Sequence, residues 1–256
     1  MSDINIVYLG VIQGIGEILP ISSSVNLYFF SKILNIQSFS FFLKIALHFG
    51  SFITLLIYFR KELKDIAIGL LTKRKKLTDT YVLQLFAGTL PVVTLGIVAK
   101  RFIQEFDSPK VMGIFCAVFG LLLIVFDKLA CKNSRKVPVT LTKAFIIGVF
   151  QAMAVFPGIS RLGICITAAR MLSISRKNAI HFSLLLVIPS IFGSIILELF
   201  QDEAFSTFNM DVLYGVLITA VIGILVIVPC IRYMERCGFV ALGIYRAAIG
   251  LGLCFI

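Results

Sequence analysis

The amino-acid sequence predicts an all-α polytopic membrane protein built as an inverted-topology repeat, with six transmembrane helices plus two re-entrant broken-helix pairs. Three observations lead there. Hydrophobic residues make up 59% of the 256 and charged residues only 14%, at a mean hydropathy of +1.02, which leaves too little polar side chain to cover a soluble fold. An apolar helix that carries a Gln, is broken by Pro and restarts with hydroxyls occurs from Gly10 to Ser24 and again, altered, from Gly148 to Arg161. Basic residues gather in alternate loops. The run before each Pro falls short of the about 20 apolar residues a crossing needs, and paired broken helices, one in each half of a chain, mark a site near the membrane midplane.

Residues 5–19 form the first half-helix, and after Pro20 the serines open a second that runs to about Asn35, so the pair dips in and returns. Such a hairpin survives only when packed inside protein. Residues 39–59 are long enough to cross and lead into a basic loop with Lys73-Arg74-Lys75-Lys76; further crossings span 80–99 and 110–130. After the linker Lys132 to Lys136, residues 143–156 and 160–172 make the second broken pair. Crossings at 179–199, 211–231 and 238–256 follow, the first two joined by the acidic loop Gln201 to Asp211. Residues 1–130 are thus the first repeat and 131–256 the second, in one membrane domain. Alternation puts 15 Lys and Arg in the loops of one side against three on the other, which makes the rich side cytoplasmic. Three crossings per half make the second copy enter from the opposite face.

A net charge of +11 would suit a nucleic-acid partner, yet the basic residues lie in loops between apolar spans, where they set orientation. No nucleic acid is expected. The first apolar run lacks a basic start and holds Gln13 and Glu17, so it is expected to be retained rather than cleaved. The six cysteines show no CxxC pair and read as small hydrophobes, with neither disulfides nor a zinc site. The sequence leaves a homodimer open.

Gln13 and Glu17, four apart, share a helix face. A carboxylate at this depth costs about 2.5–3.5 kcal/mol on insertion scales and is normally placed against a cavity or a partner. It is either functional or interhelical glue paired with Arg161. Arg161 offers a permanent charge and a fixed fork of donors at a half-helix start whose free N–H groups add positive partial charge. Gly158 would let that turn approach a ligand closely. Ser22, Ser23 and Ser24 open the facing half-helix, as caps or as a nucleophile with anion-binding neighbours. His48 and His181 follow the two breaks at comparable distances, as core residues or as accessory groups to the site. Arg170 and Arg246 lie near span ends, where snorkelling accounts for them.

These residues resemble the two motifs of the undecaprenyl-diphosphatase family, the bacitracin-resistance type of membrane phosphatase. Gln13 to Glu17 followed by Pro-x-Ser-Ser is similar to the first motif, and Pro157, Gly158, Ser160 and Arg161 to the second. The likeness extends over nearly the whole chain, including Ala87 to Pro91 and Phe182 to Pro189. It implies removal of the terminal phosphate from a polyprenyl diphosphate lipid in the bacterial cell membrane, an outward-opening site, and a divalent cation, Mg²⁺ or Ca²⁺. By position it makes Glu17 the acid or base and a metal ligand, with Gln13 beside it, and Ser23 the nucleophile. It makes Arg161 and Ser160 the diphosphate clamp, with Gly158, Ser22, Ser24 and Asn26 completing the substrate site. His48 is an accessory candidate. The chain departs from the pattern at Asn26, where a His is usual, at Leu162 for Ser and at Cys165 for Thr. Asn cannot exchange a proton as His can. The rival reading is a lipid-phosphate transporter or flippase that uses the same polar site without hydrolysis.

Overall fold

The computed structural model describes residues 3–36, 40–72, 78–98, 106, 108–131, 139–199 and 210–255, and these fold into eleven α-helices with no strand among the described residues. They are α1 Asp3–Gly16, α2 Ser23–Ile33, α3 Phe41–Tyr58, α4 Arg60–Thr72, α5 Thr78–Val98, α6 Pro109–Cys131, α7 Leu141–Ala152, α8 Arg161–Met171, α9 Arg176–Leu199, α10 Met210–Cys237 and α11 Val240–Leu253. The basic loop Lys73 to Lys76, Lys100 and Arg101, the linker Lys132 to Lys136 and the loop 201–209 lie outside the described residues.

Both broken pairs are present, and local chemistry makes them. In the first, α1 stops at Gly16, residues 17–20 form a turn ending at Pro20, and Ser22 takes a left-handed conformation at φ 66° before α2 begins. In the second, a short 3₁₀ turn at Met153–Val155 leads to Pro157 and to Gly158 at φ 94°. Ser160 Oγ then accepts the Gly163 N–H at 3.1 Å and caps α8. The two return helices end alike: Ile36 N–H donates to Ser31 O and Ile174 N–H to Ala169 O, around Asn35 and Ser173 at positive φ.

Four helices are single spans by length and apolarity: Tyr81–Val98 within α5, Pro109–Ala130 within α6, and all of α9 and α10. The all-α polytopic fold is as expected, and two of the six expected crossings differ in form. Residues 39–59 become α3, which passes the same test only together with α4, bent from it by 72°. The sixth crossing shortens to α11, because α10 runs on through Arg232 and Arg236 to Cys237 and takes up the expected link. At 14 residues α11 is about 21 Å long, less than a hydrocarbon core of about 30 Å.

Span α9 is the most buried of the four and forms the centre, whereas α5 is the least buried. Around α9, α1 and α3 pack on α10, α7 packs on α5, and α6 packs on α11. Small residues let these pairs approach, which replaces the missing hydrophobic drive inside lipid. A Cβ on Gly113 of α6 would stand 2.4 Å from Gly250 O of α11.

Arg170 does not snorkel. It is 1% exposed at the end of α8, where its Nε donates to Asp127 Oδ1 of α6 at 2.9 Å. Arg176 Nη2 donates to the other carboxylate oxygen at 2.7 Å. A buried carboxylate between two guanidiniums is satisfied in place, so neither Arg170 nor Asp127 needs to reach water.

Candidate active site

The first break positions Glu17 in the turn after α1, with Ser23 at the start of α2 facing it. Ser23 Oγ donates to Glu17 Oε2 at 2.7 Å, and Gln13 Nε2, one turn earlier, donates to the same oxygen at 3.0 Å. Because an ionised carboxylate only accepts, the group of Gln13 that faces it must be the amide nitrogen. His48 of α3 joins from the side. Its Nδ1 lies 3.2 Å from Gln13 Nε2 and 3.6 Å from Glu17 Oε2. Since the amide nitrogen only donates, the shorter contact makes Nδ1 an acceptor and leaves the imidazole proton on Nε2.

The second break presents Arg161 at the first position of α8. Its Nη2 donates to Ser194 Oγ of α9 at 3.4 Å, while Nη1 is buried with no hydrogen-bond partner. A guanidinium N–H without a partner in a protein interior is costly unless something else takes it. The tips of both breaks open on one pocket of about 640 Å³, lined by Glu17, Ser22, Ser23, Ser24 and His48 on one side and by Ser160 and Arg161 on the other. The inverted approach of two interrupted helices therefore ends in a shared cavity.

Four sequence candidates stand elsewhere. Asn26 is 2% exposed and does not line the pocket. Its Nδ2 donates to Ile21 O and Ser22 O, and its Oδ1 accepts from Tyr245 Oη of α11, so the amide props the break rather than meeting substrate. Gly158 answers a packing need: a Cβ there would lie 2.3 Å from Met112 O of α6, and its positive φ disfavours any other residue. Gln13 is fully buried, does not line the pocket, and its amide nitrogen faces Glu17, His48 and Ser51. His181 pairs with Glu62 Oε1 at 3.1 Å, away from the pocket.

The pocket also holds residues that sequence reasoning missed. Lys44 of α3 and Glu198 of α9 line it, together with Ser190 and Ser194. The signal was there: Lys44 stands in an apolar run four residues before His48, and Glu198 four after Ser194, which is the spacing of one helix face. Glu17, Glu198, Arg161 and Lys44 all act electrostatically on His48. Two carboxylates and two cations thus share one cavity with five serine hydroxyls besides Ser160, a constellation for holding and transferring a highly charged oxyanion.

Val92, Val93, Gly96 and Ile97 of α5 and Leu197 of α9 form the apolar wall beside these groups. Charged groups beside an apolar wall suit an amphiphile whose polar end reacts.

Residues 6–252 match the family described as Bacitracin resistance protein BacA. The chain is similar to undecaprenyl-diphosphatase 4 of Bacillus thuringiensis strain Al Hakam, 35% identical over 249 residues, covering 95% of this chain and 93% of that protein. It is likewise similar to the undecaprenyl-diphosphatase of Geotalea daltonii, 34% identical over 259 residues with 97% and 96% covered, and to that of Elusimicrobium minutum, 36% identical over 252 residues with 98% and 96% covered. With a pocket built from both breaks and a likeness spanning almost every residue, the chain belongs to the bacitracin resistance protein BacA family.

Proposed function

We propose that this protein hydrolyses undecaprenyl diphosphate to undecaprenyl phosphate and phosphate, recycling the lipid carrier for cell-wall synthesis and so giving bacitracin resistance. One observation carries the reading. The hydrogen-bonded pair Ser23 and Glu17, 2.7 Å apart, and Arg161, whose Nη1 is buried without a partner, line a single pocket. A hydroxyl bonded to a carboxylate is an activated nucleophile, and a guanidinium is matched to paired phosphate oxygens.

In this mechanism the diphosphate enters with Arg161 on its oxygens and the N-terminal turns of α2 and α8 beneath it. Ser23 Oγ attacks the terminal phosphorus as its proton passes to Glu17. The bridging P–O bond breaks, and undecaprenyl phosphate leaves with the proton that Glu17 took, which restores the carboxylate. Water then hydrolyses the phosphoserine, with Glu17 as base. Phosphoryl transfer asks the protein mainly for placement and charge neutralisation, which these groups supply. The prenyl tail lies along the wall of Val92, Val93, Ile97 and Leu197, worth about 0.8 kcal/mol per buried CH₂.

The donor set is compatible with a hard divalent cation, Mg²⁺ or Ca²⁺, since Glu17, Glu198 and the serines offer oxygens. Among the described residues no three acidic, His or Cys side chains converge on one point, so Glu17 would hold the ion jointly with substrate oxygens. When bound, such an ion neutralises diphosphate charge.

The inverted repeat of 1–130 and 131–256 is part of the same proposal. Gln13 Nε2 lies 3.4 Å from Ser51 Oγ, and Ser190 Oγ donates to Gln151 Oε1; the two Gln and the two matching C-caps at Ile36 and Ile174 stand in one register. The shared register supports a duplicated architecture, and we place its site at the midplane of the bacterial inner membrane, open to the outer face.

Purified protein in detergent with undecaprenyl diphosphate tests the function. Phosphate release that Glu17→Gln lowers about 10²- to 10⁴-fold, that Arg161→Ala also lowers, and that a chelator suppresses is the expected result. Lipid movement across vesicles without phosphate release would replace the enzyme with the flippase.

A further inference from the structure

α11 carries two polar side chains in succession, and both are directed at the breaks. Tyr245 Oη donates to Asn26 Oδ1 of α2. Arg246 is fully buried rather than snorkelling: its Nη1 donates to the carbonyl of Pro20 in the first break and its Nη2 to the carbonyl of Gly158 in the second, each at 3.4 Å. Both carbonyls lie where the helical ladder is interrupted. The guanidinium is planar and holds its two terminal nitrogens at a fixed separation, so one rigid fork joins the two halves of the molecule.

The surroundings are shaped for it. A Cβ on Gly163 would stand 2.6 Å from Arg246 Nη1, and one on Gly120 2.7 Å from Arg246 Cβ. Nε has no hydrogen-bond partner, and the polar side chain beside the guanidinium is the uncharged thiol of Cys116 of α6. Burying a guanidinium in this way is costly, and an apolar side chain would fill the space without that cost. Packing therefore does not account for an arginine here. Nor does direct substrate contact, because Arg246 does not line the pocket.

We propose that Arg246 is a positioning residue, tying the Pro20 and Gly158 turns together and so setting the separation between the Glu17–Ser23 side of the pocket and the Arg161 side. Its effect on turnover rests on the phosphatase reading; its effect on the tip-to-tip distance does not. Loss of the fork lets the tips drift, and a displacement of about 1 Å between reacting groups can cost on the order of 10²-fold in rate. Lysine keeps the charge but, as a point donor, cannot hold both carbonyls in one plane.

The experiment uses full-length protein in detergent with Arg246→Met and Arg246→Lys, each checked for helical content. Undecaprenyl diphosphate turnover is measured across substrate concentration and pH. Arg246→Met is expected to lower kcat about 100-fold, with KM within about threefold and the pH profile unchanged in shape, and Arg246→Lys to recover only part of the loss. In parallel, spin labels at positions 24 and 155, in an otherwise cysteine-free chain, read the tip-to-tip distance, which should broaden and lengthen in both variants. If Arg246→Met does not purify folded, Arg246→Lys carries both readouts. An undiminished kcat, an unchanged distance distribution, or a raised KM at constant kcat overturns the proposal. Wild-type protein that releases no phosphate overturns the phosphatase reading instead, and the distance measurement still decides the fork.

Discussion

The contact between α5 and α7 allows a stability prediction with a worked magnitude. Where the helices cross, Gly148 faces Gly88, and a Cβ on Gly148 would stand 2.4 Å from Gly88 O and 2.7 Å from its Cα and carbonyl carbon. These are backbone atoms of a helix, so no side chain can swing away. To regain van der Waals distance the helices must part by about 1 Å. Overpacking of this kind costs about 1–3 kcal/mol. The same movement stretches the hydrogen bond from Gln151 Nε2 to Gly88 O, 3.1 Å long between buried groups, which adds about 1 kcal/mol. Gly148→Ala should therefore destabilise by about 2–4 kcal/mol, or lower Tm by roughly 4–16 °C for a chain of this size. The chain has no Trp, so far-UV circular dichroism in detergent is the suitable probe. Gly193→Ala is the control, since nothing lies within 4 Å of a Cβ there and Ala is the better helix former. Equal stability of Gly148→Ala and wild type, or equal damage from the control, would refute the reasoning. Because α7 leads directly into the second break, turnover should fall together with stability.

Arg161→Lys should recover little of the activity lost in Arg161→Ala, because a single ammonium cannot reproduce a fork on paired phosphate oxygens; phosphate release by the two variants decides it. Asp127→Ala leaves Arg170 buried without its carboxylate and should cost about 3–5 kcal/mol, seen as a lower Tm. Gly193→Leu should fill the open space on the pocket's α9 wall. It is expected to raise KM for undecaprenyl diphosphate severalfold while leaving hydrolysis of a short-chain prenyl diphosphate within about twofold, which parallel kinetics would show.

Glu17, Ser23 and Arg161 were legible because each is a polar group beside a Pro break in an apolar run, and that combination has few innocent explanations in a membrane. Lys44 and Glu198 carried a weaker signal: a charge within an apolar stretch, four residues from His48 or Ser194, with no Pro break beside it. His48 and His181 looked equivalent by distance from the breaks. Only packing separated them, setting one between Gln13 and Glu17 and the other beside Glu62.

The arginines show the division most clearly. Apolar content, the two interruptions and the alternation of basic loops determined by themselves that this chain is a helical membrane protein with paired broken helices, because the bilayer allows few other answers to such a sequence. What becomes of an arginine in an apolar helix depends on which carbonyls and carboxylates other helices bring to it, and those come from residues far away in the chain. Tertiary structure alone decided that Arg161 faces the cavity, that Arg170 is locked to Asp127, and that Arg246 joins the two turns.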